Sequence, residues 1–146
     1  MKDEEMKLNN FIYEGSLNMV RRILANGVNL NNKGEDDCYP IIIAINSMNI
    51  EILQLIIEEG ADVNIDEGLP LYVAIDACID SMFQENKKLP SKLNVEVLNK
   101  LIELGADPSK NKLGEYNLEE LIKEYEISII SHNLFFQKIF PYKFYK

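Results

Sequence analysis

The sequence predicts an all-α fold, a solenoid of about four helix–turn–helix repeats. Residues 17–31 align with residues 50–64 at a constant offset of 33 positions, and residues 95–108 form a third copy. A second element recurs as well, because residues 39–44 match residues 69–74. Self-similarity at this period is typical of stacked repeats. We predict one domain over residues 1–146, with repeats at approximately 8–31, 32–64, 65–108 and 109–140 and a tail at 141–146.

Each repeat is predicted to contain a short inner helix, an outer helix and an exit turn. Apolar residues cover most of the circumference of a helix at residues 50–59, so neighbouring repeats must cover it on two sides. Gly60 and Gly105 fall just past the last helical residue, where glycine adopts a left-handed backbone at the lowest cost. Pro40 and Pro70 begin the shorter helices, because the first turn of a helix needs no amide donor there.

The third repeat departs from the regular period. Pro40 to Gly60 spans 20 positions, whereas Pro70 to Gly105 spans 35, so the third repeat carries a 15-residue insertion between its helices. Residues 74–83 keep helical apolar spacing. We therefore expect a lengthened inner helix ending near Asn86, a loop over 87–91 and an outer helix from about Asn94.

The end of the chain predicts a C-terminal capping helix at residues 127–136, which is unusually apolar for a cap. The final ten residues carry Lys138, Lys143 and Lys146 among four aromatic residues, without one acid. This aromatic and basic tail is expected either to pack onto the last repeat or to form an interaction patch.

The 33-residue period, the proline-led helix and the exit Gly60-Ala61-Asp62-Val63-Asn64 resemble the ankyrin repeat. The resemblance covers roughly residues 8–126, and residues 104–108 repeat the exit. The family has Thr-Pro-Leu-His where this chain has Tyr39-Pro40-Ile41-Ile42 and Leu69-Pro70-Leu71-Tyr72. The threonine and histidine hydrogen bonds of the family therefore cannot form here, and we expect packed side chains instead.

Composition excludes several classes of protein. The chain has 146 residues and a formal net charge of −9, which disfavours binding to nucleic acid because phosphates repel such a surface. Its apolar runs are far shorter than the roughly 20 residues that span a bilayer, and its acidic N-terminus lacks the apolar core of a signal peptide. We expect a cytoplasmic protein that is monomeric alone, with Cys38 and Cys78 as reduced thiols.

The sequence offers little catalytic chemistry, and we expect no enzyme, no cofactor and no metal site. His132 is the single histidine and lies in the apolar terminal segment. Cys38, Cys78 and His132 share no ligand spacing typical of zinc. Residues 62–66 begin like a calcium loop, but Glu67 stands where the loop needs glycine and Val73 where it needs glutamate.

Acidic residues dominate the middle of the chain. Between Lys33 and Lys87 there are twelve acids and no base. The family resemblance implies that partners bind at the tips between repeats and on the exposed side of the inner helices. Carried over position by position, the predicted partner-binding residues are Glu35, Asp36 and Asp37 beside Cys38, then Asn46, Ser47, Asp66, Glu67, Asp76 and Asp80.

A groove with this negative field would attract a basic partner and repel acidic ones. A short acidic chain with a long insertion resembles the small bacterial ankyrin proteins that act as immunity proteins against polymorphic toxins. That resemblance implies a noncatalytic protein that blocks the basic surface or active site of a cognate toxin, such as a nuclease. The alternative is a general ankyrin-type adaptor that binds a basic peptide or domain.

Overall fold

The computed structural model describes residues 2–85, 91–107 and 110. This part of the chain contains no strand, and its helices are α1 (Lys2–Glu14), α2 (Leu17–Leu24), α3 (Pro40–Asn46), α4 (Ile50–Glu58), α5 (Ile65–Glu85) and α6 (Lys92–Glu103). The predicted all-α solenoid is confirmed. The structure describes only Lys110 of the predicted fourth repeat, and the capping helix at 127–136 with His132 and the tail lie outside the described residues.

The helices form two layers. α1, α3 and α5 pack side by side as the inner layer, and α2, α4 and α6 pack side by side as the outer layer. Within each repeat, the inner helix also packs on the outer helix that follows it. The core lies between the two layers, and its largest fully buried side chains include Ile12, Ile45, Ile52, Leu53, Ile56, Ile75 and Leu98.

Local sequence signals set the ends of the helices. Pro40 occupies the first turn of α3, as predicted. The Asn49 side chain caps α4 by accepting a hydrogen bond from the Ile52 amide at 3.0 Å. Ser91 caps α6 in the same way through the Asn94 amide at 3.3 Å. Because Ser91 supplies this cap, α6 begins at Lys92, slightly before the start that apolar spacing predicts.

α5 contains a backbone break near its start. Asp66, Glu67 and Gly68 all have positive φ angles, of 54°, 57° and 84°. Regular helix therefore resumes only around Pro70, where the missing amide donor is harmless. From there α5 continues to Glu85, close to the predicted end at Asn86. Asn86 and residues 87–90 of the predicted loop lie outside the described residues.

A hydroxyl group on α5 links this helix to the residue that caps α6. Ser81 Oγ donates a hydrogen bond to the carbonyl oxygen of Cys78 at 2.7 Å. The same oxygen accepts a hydrogen bond from the Ser91 amide at 3.0 Å. The lengthened inner helix is thus joined directly to the cap of the outer helix.

The positions that lack the family's threonine and histidine are packed, as expected from the sequence. Ile42 is buried in the core, and Tyr39, Leu69 and Tyr72 are half-buried and pack against it. Cys78 is fully buried in the core, and burial raises the pKa of its thiol to about 12. Such a thiol stays protonated at neutral pH and is a poor nucleophile.

Asparagine side chains join successive repeats. Asn31 donates to the carbonyl oxygen of Gly60 at 3.1 Å and accepts from the Asp62 amide at 2.7 Å. Asn64 does the same one repeat later, with Gly105 at 3.1 Å and Asp107 at 2.8 Å. We call each pair of bonds an asparagine clasp. The calcium-like segment 62–66 is therefore a repeat exit, since Asp62 Oδ1 also accepts from the Asn64 amide at 2.9 Å.

Candidate functional site

The first tip, residues 32–39 between α2 and α3, holds three of the predicted binding residues. Glu35, Asp36 and Asp37 are all exposed. Asp36 is nevertheless engaged inside the protein, because its carboxylate accepts hydrogen bonds from Asn9 Nδ2 at 3.0 and 3.2 Å. It also accepts a bond from the Cys38 amide at 3.1 Å. Asp36 therefore anchors the first tip to α1.

Asp37 is also paired within the first tip. Lys33 Nζ lies 3.5 Å from Asp37 Oδ1 and 5.4 Å from the centre of the Tyr39 ring. A carboxylate and an aromatic face thus share one cation. Both side chains of the ion pair are solvent-exposed to a large extent, so the pair adds little to stability. Glu35 remains as an exposed acid of this tip with no ion pair among the described residues.

The second tip, residues 65–69, is built differently. Asp66 and Glu67 are exposed and lie in the left-handed backbone break. The Gly68 amide donates to the carbonyl oxygen of Asn64 at 3.2 Å, which closes the turn. Asn64 to Pro70 spans six positions, whereas Asn31 to Pro40 spans nine. The second tip is thus three residues shorter than the first.

Asp76 and Asp80 lie one turn apart on α5, as predicted. Asp80 is exposed and Asp76 is half-buried. Partial burial, together with the nearby charge of Asp80, raises the pKa of Asp76 above its usual 3.8. No base among the described residues lies within ion-pair distance of either carboxylate. The pair is a concentrated negative charge on the inner layer.

Asn46 and Ser47 occupy the end of α3. Asn46 is exposed, whereas Ser47 is half-buried and donates from its hydroxyl to the carbonyl oxygen of Ala44 at 3.2 Å. Asn46 is thus free to meet a partner, and Ser47 is partly committed to its own helix. Because α3 packs beside α5, Asn46 lies on the helix next to the one that carries Asp76 and Asp80.

Acidity is not confined to the inner layer. Glu51, Glu58 and Glu59 are exposed on or just after α4, an outer helix with no base. Sequence reasoning assigned the partner-binding residues to the tips and inner helices alone. The structure shows acids on both layers, on α4 in the outer layer and on α5 in the inner layer.

Tyr13 is an inner-layer residue that sequence reasoning missed. Its side chain is 75% exposed on α1, which makes it one of two exposed large hydrophobic side chains in the described part of the chain, with Leu93. The first inner helix lacks the proline that marks α3 and α5, so only the 33-residue offset from Asn46 could have indicated it.

The described residues contain neither a metal-binding cluster nor a membrane-spanning helix. Within residues 2–85, 91–107 and 110, no group of histidine, cysteine and acidic side chains could hold a metal ion. None of the helices α1–α6 is long and apolar enough to cross a membrane.

Comparison with known proteins identifies the family. A family model described as ankyrin repeats, in three copies, matches residues 8–112. A Fowlpox virus (strain NVSL) protein named as an ankyrin repeat protein, FPV222, is 36% identical over 75 residues. That match covers 49% of this chain and 10% of the viral protein, so the chain spans only about a tenth of that relative. Since the family model covers well over half of the chain, the chain belongs to the ankyrin repeat family and is a protein–protein interaction module.

Proposed function

We propose that this chain is a noncatalytic binding module that recognises a basic protein partner through its inner layer and tips. The observation that carries the proposal is the pair Asp76 and Asp80, two adjacent carboxylates on an inner helix without a neutralising base among the described residues. The pair lies within a run of 53 residues, 34–86, that contains no lysine or arginine.

Physical chemistry explains why such a pair suits binding rather than folding. Two like charges one helical turn apart repel each other, and partial burial of Asp76 adds to the cost of ionisation. A cation from a partner would relieve both costs at once. The surrounding negative field would also speed association with a basic protein and slow association with an acidic one.

The finer form of the proposal is an immunity protein that acts in the cytoplasm. Here the inner layer blocks the basic surface or active site of a cognate toxin, such as a nuclease that binds phosphates. Carboxylates at Asp76 and Asp80 then take the places of substrate phosphates. The second candidate is an adaptor for a basic peptide or domain, which the exposed acids of α4 favour because they spread the charge over both layers.

A growth assay separates these two candidates. The product of the gene next to this one is expressed with and without this chain, and surviving cells are counted. Toxicity of the neighbour and rescue by this chain support immunity. A harmless neighbour overturns immunity, and partners are then captured from native lysate to test the adaptor.

Matched charge variants locate the binding surface in either assay. The inner pair Asp76→Asn and Asp80→Asn removes two carboxylates from α5. The outer pair Glu51→Gln and Glu59→Gln removes two exposed carboxylates from the other layer. We expect the inner pair to lose rescue or capture and the outer pair to retain it. Loss by the outer pair alone would contradict binding through the inner layer.

A further inference from the structure

One position of the inner helix recurs in each described repeat. In the first two repeats this position is Tyr13 and Asn46, 33 residues apart. The backbone confirms their equivalence, because Gly15 and Met48, two residues later, both have positive φ angles, of 75° and 55°. The amides of these two residues donate to the carbonyl oxygens of Ile12 and Ile45 at 3.1 and 3.0 Å.

In the third repeat the equivalent position is Asp76. Asn46 lies six positions after Pro40, and Asp76 lies six positions after Pro70. The burial pattern agrees, since three buried positions of α3 are also buried in α5: Ile41, Ala44 and Ile45 match Leu71, Ala74 and Ile75. Tyr13, Asn46 and Asp76 therefore form one row across the inner layer, which we call the inner row.

The inner row has a length set by helix packing. α1 packs against α3, and α3 packs against α5. Neighbouring packed helices lie about 8–10 Å apart. Tyr13 is thus roughly 16–20 Å from Asp76, with the exposed Asn46 amide between them.

Each end of the inner row can bind a cation. Tyr13 offers a ring that is 75% exposed, and no cation of the described residues lies over it. Asp76 and its neighbour Asp80 offer two carboxylates without a described base. The first tip shows the same chemistry already satisfied, because Tyr39 and Asp37 share the cation of Lys33.

We propose that the inner row is a docking line for a basic segment of a partner protein with two cationic side chains roughly 16–20 Å apart. An arginine of the partner stacks on the Tyr13 ring, and a second cation sits between Asp76 and Asp80. This inference rests on the proposed function and adds the spacing and the aromatic contact. Tyrosine is frequent among the residues that dominate binding energy at interfaces.

Two synthetic peptides of identical composition test the spacing. Both are alanine-rich and helical with two arginines. In the first, the arginines are eleven positions apart, which places them on one face about 16 Å apart. In the control peptide they are four positions apart, about 6 Å along the same face. Binding to the full chain is measured at low salt by fluorescence anisotropy, and amide NMR shifts are recorded at Tyr13 and Asp76.

We expect the widely spaced peptide to bind more tightly and to shift the Tyr13 and Asp76 signals together. Tyr13→Leu should weaken this peptide about two- to five-fold, the range of an exposed cation–aromatic contact. Tyr13→Phe keeps the ring and should bind as the unaltered chain does. The control peptide should respond to Asp76→Asn but not to either Tyr13 variant.

The outcomes distinguish a failure of this inference from a failure of the proposed function. Equal binding of the two peptides overturns the spacing, even if Asp76→Asn weakens both. An unchanged affinity of Tyr13→Leu for the widely spaced peptide overturns the aromatic contact. If neither peptide binds the unaltered chain, the inference and the preference for basic partners fail together.

Discussion

At the scale of single residues, one buried amide organises the first tip. Asn9 is only 4% exposed, and its Nδ2 donates to the Asp36 carboxylate and to the carbonyl oxygen of Cys38 at 3.1 Å. Its Oδ1 is buried and accepts no hydrogen bond, a cost to stability. Asn9 thus fixes α1 to a loop 27 residues away. Asp36 serves this anchor, which leaves Glu35 as the freer acid of the tip.

Gly34 is needed at the first tip because of space, and Gly34→Ala should destabilise the protein. A Cβ there would lie 2.7 Å from Asn9 Nδ2 and 3.0 Å from Asp36 Oδ1. Asn9 could retreat only by giving up its hydrogen bonds. We expect a loss of about 1–3 kcal/mol in the free energy of unfolding, measured by urea titration.

Gly27 provides the matched control for Gly34. It has a φ of +83°, but a Cβ at this position would meet no atom within 4 Å, so Gly27→Ala tests backbone conformation without crowding. We expect a loss of about 1 kcal/mol there. The two variants should differ in NMR, since only Gly34→Ala should shift the Asn9 side-chain amide. An unshifted amide in Gly34→Ala would contradict the crowding argument.

The ionised Asp76 carboxylate should lower the free energy of unfolding at neutral pH. Its pKa in the folded chain is raised, by partial burial and then by Asp80. The folded chain therefore binds this proton more tightly than the unfolded chain does. The free energy of unfolding falls as pH rises from 3.8 through the raised pKa, and the penalty remains above it.

Asp76→Asn should consequently stabilise the protein at pH 7 and have a smaller effect at pH 3, as measured by urea unfolding at both values. In Asp80→Asn, the pKa of Asp76 should move towards its usual value, which carboxyl NMR titration can follow. Lower stability of Asp76→Asn at pH 7 would show that the carboxylate has a folding role. The expected gain would instead mark Asp76 as a residue kept at the expense of stability.

At the scale of elements, the asparagine clasps are the joints of the solenoid. Each clasp joins one repeat exit to the next through two hydrogen bonds. The bond from Asp62 to Asn31 has the same form as the bond from Asp107 to Asn64. The second clasp spans 43 positions instead of 31, because the 15-residue insertion of the third repeat is partly offset by the second tip, which is three residues shorter than the first. The joint thus retains its geometry although the chain between its two halves is longer.

Asn64→Ala should weaken the junction between the second and third repeats. Two hydrogen bonds are lost, and water can replace part of them. We therefore expect a loss of about 1–2 kcal/mol in the free energy of unfolding. Asn99→Ala is the matched control, since Asn99 is exposed on α6 and alanine favours helix there. Urea unfolding measures both variants, and hydrogen exchange should show faster opening of α6 in Asn64→Ala alone. Equal exchange of α6 in the two variants would contradict the clasp as a joint.

At the scale of the whole molecule, charge opposes compactness. The chain has a net charge of −9, and its acids lie on both layers, on α4 in the outer layer and on α5 in the inner layer. Mutual repulsion of these acids lowers the stability of the folded state. Stability and binding should therefore respond to salt in opposite directions, because salt screens both the internal repulsion and the attraction to a basic partner.

Raising sodium chloride from about 20 mM to about 500 mM should stabilise the protein. The screening length falls from about 20 Å to about 4 Å over this range. We expect a rise in the thermal midpoint of roughly 2–4 °C, as for a gain of about 1 kcal/mol. The outer-pair variant, which has two fewer acids, should show a smaller rise. A lower midpoint in high salt would contradict net repulsion.

The elements that sequence reasoning predicted well have strong local signals. Pro40 marks α3, Gly60 and Gly105 mark helix ends, and apolar periodicity marks α4 and α6. The bounds of α1 were not predicted, because its first half is charged and Lys7 stands where later repeats have proline.

Other features had no signal in the sequence. The left-handed break at the second tip includes Glu67, a residue type that rarely adopts positive φ. The bond between Asn9 and Asp36 joins residues that no local pattern connects. Pairing of Asp76 with Asp80 was predictable from helical spacing, whereas the half-burial of Asp76 depended on packing.

The recurrence of the asparagine clasp makes whole repeats interchangeable parts. Excising residues 32–64 would join Asn31 to Ile65, and Asn31 would then stand where Asn64 stands now. Its side chain would face the carbonyl oxygen of Gly105 and the amide of Asp107. These are the same two kinds of group that it now binds at Gly60 and Asp62. The joint would close again over a shorter array. This architecture lets the molecule gain or lose recognition surface by one repeat at a time, without inventing a new connection.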